Sequence, residues 1–247
     1  MHKITIFFIT IILSFASFSQ NGIDHSSYNG LLQKYVNDEG MVDYKGLGKD
    51  RSKLKLYLEM LETTPPHKDW TENQRLAYWI NAYNAFTLEL ILDNYPVKSI
   101  KDIGSYIKIP FVNTPWDIKF INIGDEEYDL NNLEHGIIRK EFEEPRIHFA
   151  LVCAAVSCPK LQNEAYTPKN LDAQLTKAAK DFLADPKKNE LKNSKKVVLS
   201  KLFNWYGGDF TKKLSLVEYL NQYSSTQLDK GAKIDWKDYD WALNEQE

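Results

Sequence analysis

The sequence predicts a single α+β domain: a long buried central helix packed with further helices against a small, mainly antiparallel sheet. Three observations predict it. Residues 71–94, TENQRLAYWINAYNAFTLELILDN, are apolar on nearly every side, whereas a surface helix keeps one polar face. Stretches before and after that run carry single apolar stripes at helical spacing, and short alternating segments bounded by Gly and Pro read as strands. The chain has 247 residues, 43% hydrophobic and 26% charged, which is enough to bury a core and argues against disorder.

The first 19 residues read as an address. Lys3 is the only Lys, Arg, Asp or Glu before residue 20, positions 4–15 are apolar apart from Thr and Ser, and Ser17-Phe18-Ser19 places small residues where a signal peptidase reads. Residues 1–19 are therefore expected to be a signal peptide cleaved after Ser19, and 20–247 an exported globular domain, periplasmic or extracellular. The apolar run is shorter than the roughly 20 residues of a spanning helix, and residues 78–92 are interrupted by two Asn and a Glu, so no transmembrane segment is expected in the mature chain. The residue directly after Ser19 is Gln20 and not a cysteine, which speaks against a lipid anchor of the bacterial type. The net charge of -3, with Lys and Arg scattered apart from pairs such as Lys187-Lys188 and Lys195-Lys196, argues against a nucleic-acid partner.

Taken in order, Ser26 or Ser27 opens a helix carrying Tyr28, Leu31, Leu32, Tyr35 and Val36, and Gly40 ends that unit before a short strand at 41–44. Leu54, Tyr57, Leu58 and Leu61 mark a second helix, closed by Thr63-Thr64-Pro65-Pro66. Thr71 with Gln74 is a capping-box start for the central helix, and Pro96 stops it. Residues 99–103 suggest one helical turn, and Pro110 and Pro115 bracket an irregular apolar stretch of the kind that covers something. A hairpin is expected between 116–123 and 126–128 across Gly124-Asp125. Asp129 caps the helix LNNLEHGIIRKEF, and after Pro145 the segment RIHFALVCA reads as a strand over 146–154. Thr167-Pro168 begins an amphipathic helix ending before Pro186. Residues 197–202 read as a strand, 205–210 as a Gly-bearing turn and 215–223 as a last helix.

Several residues stand out chemically. Asn81 and Asn84 lie one turn apart inside the buried helix beside Tyr83, and an interior amide without partners costs about 1–3 kcal/mol, so they either tie neighbouring loops to the helix or line a site. Glu134 falls in the apolar sector of its helix and His135 on the flank. A Glu so placed is either held by an Arg, a Tyr hydroxyl or the two Asn, or serves as a general acid or base. In a regular strand over 146–154, His148 and Cys153 face opposite ways, so they cannot pair and Cys153 reads as a small core hydrophobe. Cys158 sits beyond the strand in a loop, where loops commonly carry chemistry. A Cys158–His148 couple requires the strand to break early or the loop to fold back, since a strand running to residue 154 separates them by about 20 Å. If the chain doubles back at 154–157, the two cysteines can instead bridge. Glu134, His135, His148 and a cysteine repeat no zinc-binding spacing, and neither a metal nor another cofactor is expected. Trp236, Tyr239 and Trp241, with Trp205, stack on sugars if exposed and pin the C-terminus if buried.

The blocks Tyr78-Trp79-Ile80-Asn81-Ala82-Tyr83-Asn84-Ala85, Leu133-Glu134-His135-Gly136-Ile137-Ile138-Arg139 and Ile147-His148-Phe149-Ala150-Leu151 through Ser157-Cys158-Pro159 resemble the family known as domain of unknown function 547. Trp205-Tyr206, Asp209-Phe210 and the segment 239–244 are similar to its later parts. The resemblance implies a single α+β domain and emphasises Asn81, Asn84, Glu134, His135, His148 and Cys158, and the family brings no agreed activity with it. Two functions remain open. One is an exported binding module with a polar pocket formed by groups such as Asn81, Tyr83 and Asn84, taking a small-molecule, peptide or glycan ligand. The other is a cysteine-type hydrolase or acyl transferase, papain- or transglutaminase-like by analogy, with Cys158 as nucleophile, His148 or His135 as base and Glu134 or Asn84 orienting the imidazole.

Overall fold

Helix α4 (Glu72–Asn94) runs through the centre of the computed structural model, which describes residues 22–104, 114–191 and 193–247. The expected signal peptide and the stretch around Pro110 lie outside the described residues. The Thr71 side chain accepts from Gln74 N–H while the Gln74 side chain accepts from Thr71 N–H, so the capping box forms as the sequence predicts. Every residue over 76–92 is buried. That includes Glu89, whose carboxylate takes the Arg51 guanidinium at 2.6 Å.

The N-terminal helices α1 (Ser26–Tyr35), α2 (Tyr44–Lys49) and α3 (Arg51–Thr63) build one wall of the core, with α3 against α4. Tyr28 and Tyr57 stack between α1 and α3 with ring centroids 4.7 Å apart. The strand expected at 41–44 shrinks to Val42, which bridges Val36 and Glu245, because Asp43 caps α2 by accepting from Gly46 N–H at 2.7 Å. The hairpin is present as β1 (Ile121–Ile123) and β2 (Glu126–Tyr128), antiparallel around Gly124-Asp125, and Gly124 takes the positive φ of 62° that a two-residue turn needs. Its first strand is shorter than expected because residues Pro115–Asp117 form a 3-10 turn.

A wide, π-type helical stretch (Asn132–Ile138) leads into the short α5 (Arg139–Glu141). The strand expected over 146–154 is absent. Residues Pro145–Phe149 form a 3-10 turn, started by Pro145 with its preset φ and by the Glu144 side chain accepting from Arg146 N–H. Beyond it the backbone finds a side chain instead of a neighbouring strand: Asn84 Nδ2 donates to Ala150 O at 2.9 Å and Asn84 Oδ1 accepts from Val152 N–H at 2.9 Å. Ala154, with φ 57°, then turns the chain back.

Helix α6 (Leu171–Ala184) packs on that 3-10 turn. The remaining chain holds β3 (Lys196–Leu199), α7 (Lys201–Trp205), α8 (Gly207–Phe210), α9 (Leu216–Asn221) and β4 (Lys233–Trp236). β3 and β4 pair in parallel, so the described strands form two separate two-stranded sheets, one antiparallel and one parallel, where the sequence suggested one mainly antiparallel sheet. Helices dominate, and the chain is an α+β domain as predicted. A large apolar cluster surrounds α4, and a smaller one gathers Phe149, Phe182, Phe203, Phe210 and Leu220. The C-terminal segment is sewn across the loop after Ala154 by Val156 N–H to Ala242 O, Ser157 N–H to Asp240 O and Asn244 N–H to Ala154 O.

Candidate functional site

Where the turn after α7, the π-type stretch, the 150–159 loop and the C-terminal segment meet, they enclose a cavity of about 210 Å³. Tyr83, Glu134, His135, His148 and Cys158 all line it, together with Cys153, Trp116, Trp205, Tyr206, Tyr239 and Trp241. Five of the seven residues expected to bind ligand or catalyse therefore converge. Asn81 and Asn84 do not. Both amides are spent on backbone, Asn81 on Tyr166 N–H and C=O at 3.0 and 2.7 Å and Asn84 on the 150–152 segment, so they tie loops to the helix.

The separation of His148 and Cys153 onto opposite faces falls with the strand that implied it. A turn has no period of two, and both residues reach the same cavity. The early break also brings Cys158 back beside Cys153, and the two sulfurs are bonded, with Cα atoms 6.2 Å apart. Cys153 is thus half of a bridge in the cavity wall and does more than fill core space. The bridged chain holds no thiolate at Cys158.

His148 is buried, yet it makes strong polar and aromatic contacts. Its Nε2 lies 2.8 Å from Asp209 Oδ2, its ring stacks on Tyr206 at 3.9 Å, and Phe210 meets it edge-on at 5.4 Å. Burial lowers the His148 pKa and outweighs the opposing pull of Asp209. Asp209 is held well below the usual carboxylate range, first by the His148 hydrogen bond and then by Arg139, whose Nε donates to the same oxygen at 2.6 Å. An ionised Asp209 only accepts, so the neutral His148 carries its proton on Nε2 and keeps Nδ1 as an acceptor. Arg139 also donates to His135 Nδ1 at 3.0 Å and covers the Tyr206 ring at 5.1 Å. The Tyr206 ring thus contacts both a guanidinium and an imidazole.

Glu134 is buried at the same wall, and its negative charge acts on the phenols of Tyr83 and Tyr206. Burial first, and Glu134 second, push both phenols up, so they stay protonated and able to donate. At the mouth the aromatic rings form a continuous rim. Trp241 lies 5.8 Å from Trp116, 5.9 Å from Trp205 and 4.5 Å from Tyr239, and Lys101 Nζ sits 4.9 Å over it. Trp205 is 47% exposed. The C-terminal rings thus anchor the tail and face the cavity at once, while Trp236 lies apart in β4.

Sequence reasoning missed Asp209, Arg139, Tyr206 and Trp116. Asp209 follows two glycines in the four-residue α8, too short for any periodicity to point a side chain, and only the need of a buried histidine for a polar partner could have asked for it. A second cavity of about 360 Å³ lies beyond the Arg139–Asp209 pair, and its principal charges are already matched, Arg146 with Glu144 and Lys213 with Glu143. Among the described residues, no three His, Cys, Asp or Glu side chains are grouped to hold a metal ion, and no helix is long and apolar enough to cross a membrane.

A family model described as "Protein of unknown function, DUF547" matches residues 67–183. No curated protein and no solved structure matches the chain. The matched residues hold α4, Glu134, His135, His148 and both cysteines, whereas Trp205, Tyr206, Asp209, Tyr239 and Trp241 lie beyond them.

Proposed function

We propose that this chain, a member of the DUF547 family, is an exported binding domain whose aromatic-rimmed cavity takes a small polyhydroxylated ligand such as the end of a glycan. One observation carries the reading: the half-exposed Trp205 packs with Trp241 at the mouth, and the Glu134 carboxylate lies in the wall behind them. A sugar ring has an apolar C–H face that packs on an indole and hydroxyls that donate to a carboxylate, and these are the two surfaces the cavity offers. The neutral His148 and the Tyr83 and Tyr206 phenols add acceptors and donors around them. Export accords with the basic and apolar start of the chain and with a disulfide, a bond that persists in oxidising compartments.

The test is titration of the mature protein with mono- and oligosaccharides, followed by tryptophan fluorescence and calorimetry. Saturable binding is expected, weakened about tenfold by Trp205→Ala, which corresponds to roughly 1.4 kcal/mol. Glu134→Gln should weaken it further while the fold, read by circular dichroism, is kept. If no sugar binds, or if binding ignores both substitutions, the cavity serves another ligand.

A cysteine-type hydrolase or acyl transferase is the second reading, favoured by one fact: Cys158, His148 and Glu134 line a single cavity. It concerns the reduced chain only, because the nucleophile must be a thiolate. Any acyl-transfer turnover that survives Cys158→Ala eliminates it.

A further inference from the structure

We propose that the Cys153–Cys158 bridge is a redox-active disulfide that exchanges with low-molecular-weight thiols entering the cavity, Cys153 being the sulfur attacked and Cys158 the sulfur released. The inference goes beyond ligand binding and does not depend on which ligand the cavity takes.

The two sulfurs are not equivalent. Cys158 is only 2% exposed, whereas Cys153 is partly exposed, and both border the cavity. Cys158 Sγ receives the Cys153 backbone N–H at 3.0 Å, and the Tyr239 hydroxyl lies 3.2 Å from Cys158 Sγ and 3.4 Å from Cys153 Sγ, so the backbone donor is what sets Cys158 apart. Burial and the nearby Glu134 raise the Tyr239 pKa, so its hydroxyl keeps the proton it donates. Donors aimed at a sulfur stabilise its thiolate, and a stabilised thiolate leaves faster in disulfide exchange. The geometry therefore presents an accessible electrophilic sulfur with its leaving group already solvated by the protein.

The bridge is also poorly suited to be a staple. It joins residues five apart, at the short end of the range where loop closure adds least to stability. The loop it closes is held independently: Val152 by Asn84, Ala154 by Asn244, Val156 by Ala242 and Ser157 by Asp240. Ala154 inside the ring has φ 57°, a left-handed conformation that residues other than Gly, Asn and Asp rarely adopt. Opening the ring leaves those hydrogen bonds to keep the loop in place.

The step balances as an ordinary two-thiol reduction. A small thiolate attacks Cys153 Sγ, forming a mixed disulfide as the Cys153–Cys158 bond breaks and its electron pair passes to Cys158 Sγ. A second thiolate then attacks the small-molecule sulfur, releasing the oxidised small disulfide and leaving Cys153 as a thiolate. Two thiols are oxidised and one protein disulfide is reduced.

The experiment places the oxidised mature chain in glutathione redox buffers and follows the bridge by alkylation and mass spectrometry, with circular dichroism in parallel. Reduction is expected to reach completion while the fold persists. Cys158→Ala should accumulate a glutathione adduct on Cys153 at least about tenfold faster than Cys153→Ala accumulates one on Cys158, as an exposed sulfur should against a buried one. In reduced wild-type chain, alkylation of Cys158 against pH should report a pKa below the ordinary value of about 8.5, raised again by Tyr239→Phe. The wild-type measurements decide the matter even if a single-cysteine variant does not fold. Reduction that proceeds only with unfolding overturns the proposal, as does a Cys158 pKa at or above the ordinary value or preferential adduct formation on Cys158. No sugar enters these assays, so their failure is separate from failure of the glycan reading.

Discussion

Asn84 does for residues 150–152 what a neighbouring strand would do, accepting one backbone proton and donating to one carbonyl from a single side chain. Replacing it by Leu leaves Ala150 C=O and Val152 N–H without partners inside the core, each costing about 1–3 kcal/mol. Asn84→Leu is therefore expected to lower unfolding free energy by about 3 kcal/mol or more, read from the midpoint of urea denaturation with the slope unchanged. Asn81 holds Tyr166 in the same way, and its loss should cost a comparable amount. A midpoint unmoved by either change would mean that water or a shifted backbone satisfies these groups. The need for partners was legible from the sequence, since an amide in an all-apolar helix must be paired. The partners were not, because they lie 66 to 85 residues away and backbone offers the same groups at every position. Glu134 was legible for the same reason, and its place beside Tyr83 and Tyr206 only in part, as one Tyr hydroxyl among several holders.

Helix α4 and the hairpin were readable because each carries its own punctuation, Thr71 with Gln74 for one and Gly124-Asp125 for the other. The segment 146–154 misled because its alternation suggested one buried face, whereas His148, Ala150, Val152 and Ala154 are buried along with Ile147, Phe149 and Leu151, without any sheet neighbour. Pro145 and Glu144 contained the contrary signal, a proline at the first position of a turn behind a side chain able to cap it. The two-sheet outcome follows similarly, since a parallel pairing of β3 with β4 depends on a distant crossover that no local pattern announces. At this scale Gly40 is the sharpest test. It was read as the end of the first helical unit, and it has φ 78° with its α-carbon pressed on another loop, so an added Cβ would lie 2.7 Å from Lys160 Cα and 2.8 Å from Leu161 N. Backbone on backbone cannot rotate away. Gly40→Ala should destabilise by about 2 kcal/mol or more, the left-handed conformation alone accounting for about 1–2. Gly207→Ala, where a Cβ meets nothing within 4 Å, is the matched control and should be nearly neutral.

Across the whole molecule, the cavity draws its wall from residues 83 to 241, so the site exists only when the central helix, the π-type stretch and the C-terminal segment are assembled. Global stability then governs occupancy of the site, and two buried histidines make that stability depend on pH. His25 is 5% exposed, accepts from the Tyr57 hydroxyl at 2.7 Å, and burial lowers its pKa from 6.5 to about 4. His148 is lowered in the same direction by its own burial. In each case the folded state refuses a proton that the unfolded chain accepts. Above pH 6.5 both states carry neutral imidazole and stability is at its full value; below it the unfolded chain protonates first and stability falls until the pH reaches the folded value. For His25 the loss by pH 5 is on the order of 2 kcal/mol, before most unfolded-state carboxylates titrate. Urea unfolding at pH 7.5, 6.0 and 5.0 should show this decline. His25→Gln keeps an acceptor for Tyr57 but cannot ionise, so it should remove the His25 share and leave the His148 share. A wild-type stability that stays level from pH 7.5 to 5.0 would mean that His25 reaches water or a carboxylate and does not sit neutral in the core. Should the slope appear and survive His25→Gln undiminished, the pH dependence belongs to the His148–Asp209 pair, and ligand binding in the cavity should then weaken over the same pH interval as protonation removes the Nδ1 acceptor.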